Sequence, residues 1–83
     1  SAVVDAQVEI MLRTVAAYYD LALATEREAI LKESLRQHND LLDTIKARVT
    51  QEVSPQADLD LADSRVAQLE QDLAAVSGAR ATS

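Results

Sequence analysis

Apolar residues recur along most of this chain at alternating spacings of three and four. Leu59, Ala62, Val66, Leu69, Leu73 and Val76 form one such series, and Leu31, Leu35, His38, Leu42, Ile45 and Val49 form another. That alternation keeps each set on one stripe of a helix, the a/d seam of a coiled coil. The only Gly is Gly78 and the only Pro is Pro55, so nothing between Ala2 and Gln51 breaks a helix rich in Ala, Leu, Glu, Arg and Gln. The pattern predicts helix 1 over about 2–51. The signals then change: Val53 falls off the stripe, and Ser54-Pro55 offers a capping hydroxyl followed by a proline suited to a first helical position. Asp58 in the next turn suits the positive end of a helix dipole. A turn over about 52–54 therefore leads into helix 2 over about 55–77, with Gly78 as its C-cap and a frayed end over 78–83. The whole chain, 1–83, reads as one all-α domain, a long antiparallel helical hairpin.

A single register satisfies both stripes. Folding about Val53 pairs Val49 with Leu59, Ile45 with Ala62, Leu42 with Val66, His38 with Leu69, Leu35 with Leu73 and Leu31 with Val76, position numbers that sum to 107 or 108 throughout. At about 1.5 Å per residue helix 1 is roughly 75 Å long and helix 2 about 35 Å. Helix 1 thus loses its partner near Glu28. The unpartnered half is the more apolar one, with Val4, Val8, Ile10, Met11, Leu12, Val15, Tyr18, Tyr19, Leu21 and Leu23 spread over more than one face. A helix apolar on two sides expects two neighbours, so the chain is expected to self-associate as a dimer or larger species.

Composition narrows the function more than it names it. Eighty-three residues without Cys and with one His exclude a disulfide framework and a Cys/His zinc site, and a lone domain of this size is marginal without such staples. The net charge of −6, without a run of Lys or Arg, argues against nucleic acid and anionic membrane surfaces as partners. The longest apolar stretch, Val15 to Tyr19, is far short of the roughly 20 residues of a membrane-spanning helix. With no initiator Met and no signal-type segment, the sequence reads as an excised piece whose targeting signals lie elsewhere.

No constellation of catalytic type emerges. His38 sits on the seam opposite Leu69, but di-metal carboxylate bundles repeat Glu-x-x-His and the residue three before His38 is Leu35, which favours a structural histidine. Asp58, Asp60 and Asp63 lack the glycine and the ligand spacing of a calcium loop. Tyr18-Tyr19 has no basic residue closer than Arg13, so packing is the better reading than base stacking. Glu9 with Arg13 and Glu28 with Lys32 are i to i+4 pairs of the ordinary kind. Neither an enzyme nor a cofactor or metal site is expected.

The turn and its flanks carry the specific signal. An Ala-rich helix with Tyr18-Tyr19 ahead of Leu21 is followed, after about 27 residues, by Arg48, then Glu52-Val53-Ser54-Pro55, then Asp58-Leu59 and Ala62. This resembles the hairpin repeat of TolC-like outer-membrane efflux channels, in which an Arg precedes a Gly by four residues, a Ser or Pro stands three before an Asp, and an aliphatic residue and an Ala follow that Asp. Arg48, Pro55, Asp58, Leu59 and Ala62 fall on those positions. Glu52 departs from the pattern, because it occupies the Gly position. It must either adopt a left-handed backbone or use a different turn. The resemblance covers nearly the whole chain. It implies one wall element of a trimeric α-helical barrel in the periplasm, continuing in the parent protein into an outer-membrane β-barrel, with no direct bilayer contact by this segment. It further implies a tip, built from Arg48, Glu52, Val53, Ser54, Pro55 and Asp58, that docks the periplasmic adaptor of a tripartite export pump. The aromatic pair ahead of Leu21 favours the first of the family's two repeats.

Other readings remain open. The adaptor's own hairpin also carries a Ser near its turn, but its pattern places an Asp five residues after that Ser, where this chain has Leu59. A plain coiled-coil oligomerisation hairpin accounts for the heptads and leaves the spacing from Arg48 to Ala62 unexplained. A di-iron enzyme lacks its ligands.

Overall fold

The computed structural model describes residues 1–82, with side chains described through Ala79. It consists of two helices, α1 over Ala2–Thr50 and α2 over Gln56–Thr82, packed as an antiparallel hairpin. The body measures 74 × 15 × 15 Å. Its long dimension is the length of α1, since 49 residues at about 1.5 Å each span the same distance.

Local chemistry explains why α1 runs unbroken. Ser1 Oγ accepts from the Val4 N–H at 3.2 Å, and Asp5 lies in the first turn. Along the exposed face Arg36 reaches both ways, to Glu33 at 2.7 and 3.0 Å and to Asp40 at 3.1 Å. Such surface pairs contribute only a few tenths of a kcal/mol each. Most of the order must therefore come from the seam with α2.

That seam follows the heptad stripes. Leu42, Ala62 and Val66 are its most buried apolar residues, 7–9% exposed, and Leu35, Ile45 and Leu59 pack against them. Leu31, His38, Val49, Leu69, Leu73 and Val76 are half-buried. Two helices alone enclose little, so no large side chain is fully buried among the described residues.

Two boundaries differ from the sequence reading. Gly78 does not cap α2: it has no positive φ, and the helix continues through it to Thr82. A helical glycine costs about 1 kcal/mol relative to Ala, and the Ala-Arg-Ala that follows sustains the helix past it. Residues 79–82 are thus helical rather than frayed, while Ser83 lies outside the described residues. The longer α2 carries the pairing about a turn past Glu28, to a half-buried Ala24. At its other end α2 starts at Gln56, so Pro55 stands just before the helix.

Glu28 is also more than an ordinary surface partner. It is 8% exposed, held by Lys32 Nζ at 3.0 Å on its own helix and by the Ser77 hydroxyl, which donates at 3.1 Å from α2. A carboxylate at the seam is tolerated because these donors replace lost water. Before Ala24 every residue of α1 is exposed.

Candidate functional site

The end of the hairpin is built by the way α1 stops. The Gln51 N–H still bonds the Ala47 carbonyl at 3.0 Å in the helical pattern, but Glu52 turns left-handed, with φ of 60°. Its N–H then reaches back to the Val49 carbonyl at 3.0 Å, and the Val53 N–H reaches the Arg48 carbonyl at 2.8 Å. These two bonds are the paired 5→2 and 6→1 bonds of a Schellman cap, with Glu52 at the position that glycine usually takes. Of the two options open to a residue at that place, the chain thus uses the left-handed backbone. The strain is of order 1–2 kcal/mol for a side chain bearing Cβ, and the cap offsets it by satisfying carbonyls that would otherwise be orphaned at the helix end.

Arg48 ties the turn together twice. Its carbonyl accepts from Val53 and, at 3.3 Å, from Ser54, while its Nε donates to Ser54 Oγ at 2.9 Å. The Ser54 hydroxyl, expected to cap helix 2, is therefore engaged by the guanidinium of α1. Pro55 hands the chain into α2 through its carbonyl, which accepts the Asp58 N–H at 3.1 Å. Arg48 and Asp58 form no ion pair with one another. Both carry their charge at the surface, on either side of an exposed Val53. The six tip residues thus lie on one end of the molecule, with Arg48 and Ser54 in direct contact and Glu52, Val53, Pro55 and Asp58 arranged around them.

Just below the tip, one flank of the hairpin carries a shallow groove lined by His38, Leu41, Ile45, Leu61 and Ala62, with Asp58 and Arg65 beside them. Leu41 and Leu61 are more than half exposed there. Sequence reasoning missed this pair because each stands one position off its stripe, next to Leu42 and Ala62. Two large apolar residues, each adjoining a seam position, were the available signal.

His38, half-buried on the seam, bonds the Ser34 carbonyl through Nδ1 at 2.7 Å. A carbonyl only accepts, so Nδ1 carries the proton. Among the described residues no group of three His, Cys, Asp or Glu is placed to hold a metal ion. Tyr18 and Tyr19 meet edge to face, 6.1 Å apart, on the open surface of α1. No helix among the described residues is long and apolar enough to cross a membrane. Compared with protein-family models, with curated proteins and with solved structures, the chain gives no match.

Proposed function

We propose that this chain is a channel-wall hairpin of a TolC-like outer-membrane efflux protein, with its tip at the periplasmic mouth where the adaptor of a tripartite pump docks. The observation that carries this reading is the left-handed Glu52. The resembled repeat has glycine four residues after its Arg, and glycine is the residue that turns the backbone left-handed without steric cost. This chain makes that turn at that position in spite of its side chain. Supporting it are the exposed Leu41 and Leu61 on the flank and the exposed apolar side chains before Ala24, since a helix in a tube wall has neighbours on both sides.

In this reading Val53, Ser54 and Pro55 meet the adaptor end-on. The surface there is a small apolar cap between Arg48 and Asp58, which fits a helical tip approaching along the same axis better than a flat partner. The Arg48 Nε is committed to Ser54, leaving the terminal guanidinium nitrogens for carbonyls of the adaptor turn or of a neighbouring hairpin. Asp58 pairs with a basic residue of an adjacent hairpin at the aperture.

The test is a Val53→Asp, Pro55→Gly double replacement in the full-length protein, scored for export and adaptor crosslinking with outer-membrane trimer levels checked in parallel. Loss of both with normal trimer levels is expected. Normal export with normal crosslinking would leave the tip without a role and the hairpin as passive wall.

A further inference from the structure

We infer that the unpartnered first half of α1 is a self-complementary surface on which a second copy of this chain docks antiparallel, centred on residue 13. Before Ala24, Val4, Val8, Met11, Val15, Tyr18 and Ala22 recur at spacings of 4, 3, 4, 3 and 4, a second heptad stripe. It is one residue out of step with the hairpin seam, whose continuation runs through Leu21, Ala17, Thr14 and Ile10. One residue is about 100° around a helix. A partner on this stripe therefore lies beside α2's track and is not stopped by its end.

The stripe reads the same way in both directions when two copies are laid antiparallel. Val4 then faces the other copy's Ala22, Val8 its Tyr18 and Met11 its Val15, position numbers that sum to 26 in every pair. Each bulky residue meets a smaller one, whereas a parallel pair sets Tyr18 against Tyr18 and Val4 against Val4. Leu12 and Tyr19 flank the stripe and close over it, and they are among the exposed large apolar residues of this half. Asp5 is the one charge at a flanking position. Glu9, Arg13 and Asp20 all project to the opposite side, where Glu9 and Arg13 are already paired.

Antiparallel packing also sends the two hairpin bodies to opposite ends. That separates most of the excess negative charge of two chains at −6 each. The face is about 28 Å long at 1.5 Å per residue. Burying it on both copies removes on the order of 1,000 Å² from water, which reaches the lower range of specific interfaces. The same surface that meets neighbouring hairpins in a wall is thus met, in the isolated chain, by its own copy. This inference concerns residues 4–22 and stands independently of the tip and of the export assay.

The test uses the 83-residue chain, which has no cysteine, so introduced thiols report cleanly. Chains carrying Val4→Cys and chains carrying Ala22→Cys are oxidised mildly, separately and mixed. The register expects crosslinks in the mixture and none in either alone, because like positions lie about 27 Å apart along the axis. Sedimentation equilibrium should give a dimer at tens of micromolar. Val15→Glu should weaken it about 100-fold or more, while Ile10→Glu, equally apolar but on the outer side, should leave it within about threefold. Circular dichroism of Val15→Glu checks that the hairpin itself remains helical. A monomer, a trimer, like-with-like crosslinks, or equal loss in the two Glu variants would each overturn the inference.

Discussion

Glu52 is the residue at which local preference and global fold conflict. Its left-handed φ of 60° is required for the Schellman cap, and the cap is required for α2 to return along α1. Replacing Glu52 by Gly should relieve more strain than it adds in unfolded-chain entropy, a net gain of about 0.5–1 kcal/mol. Urea melts at fixed chain concentration would read it; a loss of stability would mean that the Glu52 side chain contributes something the backbone geometry does not reveal. Arg36 offers a second measurement at this scale. Its hydrogen bonds hold the Glu33 carboxyl below the usual glutamate range, and the two charges attract in the same direction. A carboxyl pKa lowered by folding contributes stability that is present above the unfolded pKa and fades as pH falls through the folded one. Both side chains are exposed, so the effect on stability is slight, but the titration itself is readable. Carbon NMR of Glu33 should move back toward the ordinary range in Arg36→Gln, and an unchanged titration would show that the pair is broken in solution.

Among elements, the seam was legible because the period of a stripe and the direction of a hairpin are both written in spacing. All twelve positions named from the alternation of threes and fours are buried or half-buried. What spacing could not show was where the seam ends. Gly78 looked like a stop because glycine favours caps, yet an exposed helical glycine costs only about 1 kcal/mol and tertiary pairing overrides it. Glu28 was read as half of a surface pair because its seam role depends on Ser77, forty-nine residues away. At the tip, the departure at Glu52 was visible in the sequence, but Ser54 binding Arg48 rather than capping α2 depended on three-dimensional reach. The register itself gives a sharp comparison. Leu69→Asp places a carboxylate in the seam opposite His38 and should cost on the order of 2–4 kcal/mol. Gln68→Asp alters an exposed neighbour that donates to Asp72 at 3.0 Å, and losing that contact to like charges should cost well under 1 kcal/mol. Equal melting temperatures for the two variants would show that α2 is rotated from the register described.

At the scale of the whole molecule the hairpin is a lever with one covered end and one bare end. From Ala24 to Val49 α1 is backed by α2, whereas from Ala2 to Leu23 every residue is exposed. The bare stretch needs no nucleus of its own because it continues the packed helix, but propagation adds little per residue, so it opens readily from its free end. Protection from hydrogen exchange should therefore vary along one continuous helix. Amides beside Leu42, and those of α2 beside Ala62 and Val66, should be the slowest to exchange. Those of residues 5–20 should be the fastest, by about a hundredfold or more, when the chain is dilute enough to be monomeric. Raising the concentration should slow the first group little and the second strongly, because only the second gains a cover from another molecule. Measured residue by residue at two concentrations, that contrast separates order within the hairpin from order supplied by association. Uniform protection along α1 at the lower concentration would mean that the bare half is held by something other than a neighbour, and the description of α1 as a helix in want of one would fail.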